Sequence, residues 1–401
     1  MGYNTAGREG HDDAVTKTKI GRSLTMNSRI SLAVISVMVL LGGWGVLLPS
    51  TVAQPPVIHV RPGDALGEIV DQAPPGSTII VDAGVYRESL TIRQPNIRLI
   101  GAGASDEGTV LSNEGVDADN GITVMEGADH FQLSGFLIRG FNENGVWLTG
   151  VQDYRITYNV LENNGEYGVF PVFSTGGLIA DNVAIGHSDT GIYVGQSSGA
   201  TIAHNVAFGN INGIEVENSS DCVVSENELF DNVVGILVVE LPLLEVPTTD
   251  GVLVTRNYVH ANNNPGEHRT SEQFIQAVPV GGGILVVGAN GVTIQDNVIL
   301  NNNSFGIGIA RLPRIFDALD PLVNHIPDRN RVIGNLSLLN GRDPDQERIR
   351  AVGISDFPIG ANLFWDGTGR DHCFEDNIVN DDLGGTSFPA PEDLPPCPDE
   401  G

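Results

Sequence analysis

Four acidic residues recur along the chain at positions that could bring carboxylates together. Asp119, Glu143, Glu166 and Asp189 each stand two residues before a glycine that opens an apolar segment. If these segments stack, neighbouring carboxylates lie about 5 Å apart and repel by about 3 kcal/mol at an effective dielectric of 20. Such a column predicts a bound cation, for which Ca²⁺ is the natural candidate, or a shared proton suited to acid–base chemistry. A solvated acidic edge is the third interpretation.

Aromatic residues occupy the positions two residues after the same glycines. In three successive segments these are Trp147, Phe170 and Tyr193, and alternation along a strand predicts that they point away from the core. Flat apolar rings beside carboxylates are suited to stacking on sugar rings. We therefore predict a carbohydrate-binding face, and the alternative is an aromatic ladder covered by a loop or by a partner chain.

The next segment carries two further acids and is preceded by a histidine in a turn. Glu215 and Glu217 stand at i and i+2, so both face outward with their carboxylates about 6 Å apart. Paired carboxylates at such a distance can cleave glycosidic bonds. In a catalytic site, Glu166 or Asp189 would be the acid, and Glu215 or Glu217 the base or nucleophile. His187 could shuttle protons or bind metal, or could simply be exposed.

These columns depend on an internal repeat. A Gly motif, in which Gly is followed by Val or Ile, recurs at intervals of 22 to 24 residues, apart from two intervals of 48 and 47 residues. Its nine copies begin at Gly121, Gly145, Gly168, Gly191, Gly213, Gly235, Gly283, Gly306 and Gly353. Asn residues recur between the copies, each three residues after an apolar side chain. They are Asn159, Asn182, Asn205, Asn227, Asn257, Asn297, Asn335 and Asn377.

The composition of the repeat decides the fold class. About 22 residues rich in Gly, Asn and β-branched side chains cannot supply two helices, but they fit short strands separated by turns. The sequence predicts an all-β, single-stranded right-handed parallel β-helix of about ten coils over residues 54–380. We expect identical residues to stack in columns, so that the Asn residues form a structural amide ladder. A short helix over 64–72 should cap the first coil.

The two long intervals leave room for loops. The excess residues fall at 241–250, 263–281, 311–330 and 341–352, two after a Gly-motif strand and two before one. The loops should rise as walls on either side of the sheet built from these strands. They would then shape a cleft, although tolerated surface elaboration is the other interpretation.

The N-terminal 53 residues read as an export signal. An uncharged apolar run, Ile30 to Leu48, follows several basic residues, and small residues precede Gln54, so cleavage before Gln54 fits a signal peptide. An uncleaved membrane anchor is the alternative, and the part before Met26 is a possible mis-annotated leader. In an exported protein Cys373 and Cys397 could pair. Residues 381–401 are predicted to be a Pro- and acid-rich tail.

Charge and missing motifs limit the possible partners. Fifty acids against 21 bases give a formal net charge of −29, which argues against nucleic acid. Phosphate-loop and dinucleotide fingerprints are absent, so no nucleotide is predicted. Because a chain of this charge repels polyuronates, a neutral glycan is favoured over pectate or alginate.

Several segments resemble a known family. Ile80-Val-Asp-Ala-Gly-Val-Tyr-Arg-Glu is similar to the first coils of pectin-lyase-like proteins. Tyr167-Gly-Val-Phe-Pro-Val and Gly213-Ile-Glu-Val-Glu-Asn-Ser resemble more closely a family of secreted bacterial parallel β-helix repeat proteins with no established activity. The resemblance covers roughly residues 57–380 and implies the fold. The superfamily includes pectate lyases, polygalacturonases, mannuronan epimerases and non-enzymatic surface proteins, so it does not imply one function.

Two functions follow from these observations. The first is an exported carbohydrate-binding or carbohydrate-active protein that uses the Gly-motif face, as a hydrolase, lyase or epimerase if it is catalytic. The second is a non-catalytic scaffold in which the same face docks another exported protein.

Overall fold

The computed structural model describes residues 55–271, 273–314, 326–351, 360–379 and 386–398. Over these residues the chain is a right-handed parallel β-helix, which confirms the predicted fold class. Strands from successive coils form three parallel sheets of twelve, eleven and ten strands. The predicted signal peptide and the apolar run Ile30 to Leu48 lie outside the described residues.

We refer to these as the first, the Gly-motif and the third sheet. The first sheet contains β1 (Val57–Val60), β2 (Thr78–Val81), β5 (Arg98–Gly101), β8 (Gln132–Ser134), β11 (Arg155–Thr157), β14 (Leu178–Ala180), β17 (Thr201–Ala203), β20 (Val223–Ser225), β23 (Leu253–Thr255), β26 (Thr293–Gln295), β29 (Arg331–Ile333) and β32 (Cys373–Glu375). The Gly-motif sheet contains β4 (Leu90–Ile92), β7 (Asn120–Val124), β10 (Asn144–Thr149), β13 (Tyr167–Val172), β16 (Thr190–Gly195), β19 (Asn212–Glu217), β22 (Val234–Val239), β25 (Gly282–Val287), β28 (Phe305–Ala310), β31 (Ala361–Trp365) and β33 (Ser387–Phe388). The third sheet contains β3 (Gly84–Tyr86), β6 (Thr109–Ser112), β9 (Phe136–Arg139), β12 (Val160–Glu162), β15 (Val183–Ile185), β18 (Val206–Phe208), β21 (Glu228–Phe230), β24 (Tyr258–His260), β27 (Val298–Leu300) and β30 (Leu336–Leu338).

Equivalent residues of successive coils pair in register, as predicted. In the first sheet Ile156 pairs with Ile179, Ile179 with Ile202, and Ile202 with Val224. These side chains are fully buried and belong to one continuous apolar core that runs along the solenoid. Each coil therefore covers the apolar face of the one before it, which a single 22-residue segment could not bury by itself.

The glycines of the motif allow the coils to approach closely. A Cβ placed on Gly145 would lie 2.6 Å from the carbonyl oxygen of Gly168, and one on Gly168 would lie 2.4 Å from that of Gly191. Both distances are too short for real contacts, and the obstacle is backbone that cannot move aside. The Gly column is thus required by packing between coils, and it runs from Gly121 to Gly306.

The ninth predicted copy of the motif is wrong. The strand that pairs with β28 is β31, in which Asn362 takes the glycine position and Phe364 pairs with Gly308. The predicted segment beginning at Gly353 lies outside the described residues. Because β31 is near the end of the solenoid, its glycine position faces only the short last strand, and Asn is tolerated there.

The predicted amide ladder is confirmed. In each coil the Nδ2 and the backbone N–H of the ladder residue donate to Oδ1 of the next, as between Asn182 and Asn205 at 3.0 Å for both bonds. The ladder connects all of the predicted residues from Asn159 to Asn377. These amides satisfy buried backbone groups at a turn, which is a structural role.

Both ends of the solenoid are closed. The helix α1 (Leu66–Gln72) buries Leu66 and Val70 over the first coil, close to its predicted bounds, and its first N–H groups donate to the Glu88 carboxylate. At the other end β33 joins the Gly-motif sheet. The Cys373–Cys397 disulfide fastens the C-terminal segment to β32, so residues 386–398 belong to the solenoid rather than to a separate tail.

The loops pack on the outward face of the Gly-motif sheet. The helix α2 (Gln273–Ala277) lies in one of them and α3 (Gln346–Ala351) in another. Ile275 and Val278 form a second apolar cluster with Leu237 and Leu285 of the sheet. Among the helices of the described residues, none has the length and apolar character needed to cross a bilayer.

Candidate functional site

The strands β13, β16 and β19 bring the predicted aromatic and acidic residues together. Tyr193 pairs with Glu215, and Glu215 pairs with Leu237 in the next coil, which places these residues in the predicted outward column. Two loops border this part of the sheet. In the loop after β22, the N–H groups of Glu245 and Val246 donate to Gln196 Oε1.

The second bordering loop reaches the opposite ends of the same strands. In the loop that carries α2, the Thr270 N–H donates 3.0 Å to the Ser188 carbonyl, just before β16. Ser188 precedes β16 and Gln196 follows it, so the two loops stand at opposite ends of one strand. The prediction of walls on both sides of the sheet is confirmed for these two loops. Part of the predicted loop at 311–330 lies outside the described residues.

The predicted aromatic platform is corrected by the structure. Phe170 and Tyr193 are only 6% and 3% exposed, whereas Trp147 is half-buried. Tyr167 stacks on Phe170 with ring centroids 4.4 Å apart, and Phe170 meets Tyr193 edge-on at 4.7 Å. The rings pack on one another, so Phe170 and Tyr193 form a buried aromatic cluster rather than an open surface.

Three carboxylates are buried beside these rings. The Tyr193 hydroxyl donates 2.6 Å to Glu217 Oε1, and the Tyr167 hydroxyl donates 3.0 Å to Asp189 Oδ2. The amide of Asn212 donates 3.0 Å to Glu215 Oε2. Sequence reasoning missed Tyr167, Thr190 and Asn212. The signal was available, because Tyr167, Thr190 and Asn212 stand in one column, directly before the Gly of each motif. We call Tyr167, Asp189, Thr190, Tyr193, Asn212, Glu215 and Glu217 the acid–tyrosine cluster.

One proton is shared within this cluster. Thr190 Oγ1 lies 3.0 Å from Asp189 Oδ1 and 2.7 Å from Glu215 Oε2. A threonine hydroxyl has a single hydrogen, so it satisfies one carboxyl while the other must carry its own proton. Burial, and then the charges of Asp189 and Glu217, raise the pKa of Glu215 well above its ordinary value. We infer that Glu215 holds the proton and that Asp189 accepts from Thr190 and Tyr167.

The predicted column of Asp119, Glu143, Glu166 and Asp189 stacks through its main chain but does not form a metal site. The N–H of each residue donates to the carbonyl of the preceding one. Their side chains differ, because Asp119 and Glu143 are exposed while Asp189 is buried. In the part of the chain that the structure describes, no three His, Cys, Asp or Glu side chains are placed to hold a metal ion. The Ca²⁺ prediction therefore finds no cluster to bind it.

The prediction of an exposed or proton-shuttling His187 is wrong. His187 is fully buried and occupies one rung of a second amide ladder that sequence reasoning missed. Its Nδ1 lies 2.8 Å from Asn210 Oδ1, so Nδ1 carries the hydrogen, and Nε2 faces the Asn164 amide at 3.4 Å. Burial lowers the pKa of His187 to about 4, which keeps the ring neutral and able to replace an Asn.

The second ladder stands five residues after the first in each coil. That constant offset was visible in the sequence. Its asparagines are Asn164, Asn210, Asn232, Asn262, Asn302, Asn340 and Asn362.

The comparison with known families gives a direct result. Residues 70–276 match the family model described as "Periplasmic copper-binding protein (NosD)". The match covers just over half of the 401-residue chain. The chain belongs to the NosD family. This assignment agrees with the predicted relationship to exported parallel β-helix repeat proteins. A search of curated proteins found no match.

Solved structures with the same fold come from several enzymes. The A-module of Azotobacter vinelandii mannuronan C-5 epimerase AlgE6 is 19% identical with a TM-score of 0.54, over 78% of this chain and 89% of that one. The AlgE4 A-module from the same organism is 19% identical with a TM-score of 0.50, over 75% and 86%. Arthrobacter chlorophenolicus DFA-IIIase is 13% identical with a TM-score of 0.49, over 81% and 89%. At these identities the likeness shows the fold alone.

Proposed function

We propose that this NosD-family member is an exported protein that binds a polysaccharide and acts on it at the acid–tyrosine cluster. The observation that carries the proposal is the pairing of one neutral carboxyl, Glu215, with the carboxyls of Asp189 and Glu217 on adjacent coils. A buried carboxyl that keeps its proton near neutral pH is what general acid catalysis requires.

The roles of the carboxyls differ from the sequence-based assignment. Glu215, rather than Glu166 or Asp189, is the acid in this proposal, because burial and two neighbouring charges hold its proton. Glu217 is the base or nucleophile, oriented by the Tyr193 hydroxyl at 2.6 Å. Asp189 supplies the negative charge that keeps Glu215 protonated. Glu166 is half-buried beside the cluster and has no assigned role.

Access to the cluster requires movement of its surroundings. Asp189, Tyr193 and Glu215 are less than 5% exposed, so a sugar reaches them only after a covering segment moves. The two bordering loops are the candidates because each is tied to the ends of β16 by backbone hydrogen bonds. A neutral glycan remains the favoured ligand, since the chain carries a net charge of −29.

A glycan array followed by a hydrolysis and elimination screen tests the proposal. Binding of a neutral oligosaccharide, with product formation abolished in Glu215→Gln, supports it. Glu126→Gln is the matched control because Glu126 is an exposed acid away from the cluster. If Glu215→Gln processes the same glycan at the wild-type rate, the proposed site is wrong.

The alternative function is a non-catalytic scaffold that docks another exported protein. The burial of Phe170 and Tyr193 favours it, because these rings offer no free face to a sugar. The scaffold predicts no binding on the glycan array and no product in the screen, with the acid–tyrosine cluster acting only as a polar core. Equal stability of wild type and Glu215→Gln would argue against that structural role.

Export is part of the proposal. The apolar run Ile30 to Leu48 and the small residues before Gln54 support it, and the family description contains the word periplasmic. N-terminal sequencing of the protein from the periplasmic fraction should give a chain that begins at Gln54. A chain that retains residues 1–53 in the membrane fraction would indicate an anchor instead.

The family description also names copper, but the donors present here do not fit it. Copper sites in proteins rely on Cys, Met and His ligands. Cys373 and Cys397 are joined to each other, Cys222 is buried, and Met125 is the single methionine after residue 38. Within the described ranges no cluster of three potential ligands occurs. We therefore derive no copper-dependent step.

A further inference from the structure

The outward face of the third sheet is apolar over seven successive coils. Two columns of side chains point away from the core here, on either side of buried residues such as Leu229 and Val259. Their apolar members are half-buried, and Tyr258 and Ile378 are 41% and 59% exposed. We call this surface the apolar strip. It comprises Val183, Ile185, Val206, Phe208, Phe230, Tyr258, Val298, Leu300, Leu336, Leu338 and Ile378, with Glu228 and His260.

Charge is nearly absent from the apolar strip, although the chain has a net charge of −29. Glu228 and His260 are its ionisable members, and they contact each other at 3.2 Å. A continuous apolar surface that the chain keeps free of its abundant acids is typical of an interaction site.

The aromatic residues lie near the middle of the apolar strip. Phe208 stacks on Phe230 with centroids 4.9 Å apart, and His260 stacks on Phe230 at 5.3 Å and on Tyr258 at 4.1 Å. The rings cover one another's faces, so the stack presents mainly ring edges to solvent. Sugar binding needs free ring faces, so this surface favours a protein partner. Aromatic residues at the centre with aliphatic residues around them are the arrangement of a protein interface.

We propose that the apolar strip binds a second copy of this chain. Seven coils at about 4.8 Å span about 29 Å, and two columns with their side chains cover about 15 Å. Each copy would then bury roughly 400 Å², or about 800 Å² in total, which is at the low end for specific complexes. A two-fold axis in the interface, crossing the strip at the coil of Tyr258, brings the two aromatic stacks together with no net charge between them. The result is a weak, reversible dimer.

Sedimentation velocity of the purified protein tests the proposal. The weight-average mass should rise from monomer towards dimer between about 1 and 100 µM, the range expected of a small interface. Phe230→Glu should raise the dissociation constant at least about tenfold, because it places a charge at the interface centre. Val57→Glu is the matched control, since Val57 is 59% exposed on β1 and lies outside the apolar strip.

Folding of the variants is checked by circular dichroism, and Tyr258→Glu is the second variant if Phe230→Glu does not fold. A wild-type protein that stays monomeric at 100 µM overturns the proposal, even if it associates with another protein. So does a dimer that Phe230→Glu and Tyr258→Glu leave intact. Neither result bears on the acid–tyrosine cluster, because the apolar strip lies on another sheet.

Discussion

The hydroxyl of Thr190 lies 2.7 Å from the carboxyl of Glu215 on the neighbouring strand. The same hydroxyl lies 3.0 Å from Asp189, so one side chain connects two acidic groups that would otherwise repel each other. This contact explains how the solenoid tolerates several buried carboxyls in one place. The proton that Thr190 cannot supply to both groups stays on Glu215.

Thr190→Val should destabilise the protein by about 1–2 kcal/mol, because the substitution keeps the volume but leaves buried carboxyl oxygens without a hydroxyl partner. Thr190→Ser should restore most of the loss. Urea unfolding monitored by circular dichroism measures both. Thr201→Val, on the half-buried outward face of the first sheet, is the control and should change stability by less than about 0.5 kcal/mol. Equal losses for the two valine variants would contradict the role of Thr190.

His187 makes stability depend on acid pH. The pKa of His187 is lowered to about 4 by burial, so between pH 6.5 and about 4 the unfolded chain binds a proton that the folded chain does not. Stability should therefore fall by about 3 kcal/mol as the pH decreases through this range. His187→Asn should remove this part of the dependence, because an asparagine continues the second ladder. Urea unfolding at several pH values measures it, and an unchanged pH slope in the variant would contradict the assignment.

Glu240 makes stability depend on pH in the opposite direction. Burial raises the pKa of Glu240 to about 7, and its carboxylate accepts the Thr249 N–H at 3.0 Å, closing the loop after β22. The folded state binds the proton more tightly, so this contribution is present below pH 4.5 and is lost as the pH rises to about 7. Glu240→Gln keeps the acceptor and should remove the loss. Thermal unfolding at pH 5 and pH 8 checks it: the midpoint of wild type should fall more between these values than that of the variant.

Gly168→Ala tests why the motif contains glycine. The added Cβ would lie 2.4 Å from the Gly191 carbonyl oxygen, so the coils must separate, at a cost of about 3 kcal/mol. Gly67→Ala is the control, because its Cβ would meet the movable end of the Glu88 side chain at 3.1 Å in helix α1. Denaturant unfolding should show a large loss for the first variant and a small change for the second. A stable Gly168→Ala would mean that the motif has another origin.

Much of the fold could be predicted from the sequence because the solenoid repeats one local arrangement. The Gly motif and the Asn column each mark one position per coil, and stacking follows once the strands are parallel. The same reasoning placed Glu215 and Tyr193 in one outward column and located the loops after β22 and before β25. It failed at Gly353, where a matching tetrapeptide lies outside the strand that completes the sheet.

The environment of each column was decided by tertiary structure. Period-two alternation states which side chains point outward, but a loop distant in sequence determines whether outward means exposed. Phe170, Tyr193 and Glu215 are buried for this reason, whereas Phe208, Phe230 and Tyr258 on the third sheet stay partly exposed. The sequence by itself determined the coils and their columns, because these depend on neighbours at a fixed spacing. The burial, protonation and access of the site depend on long-range packing, which no repeat encodes.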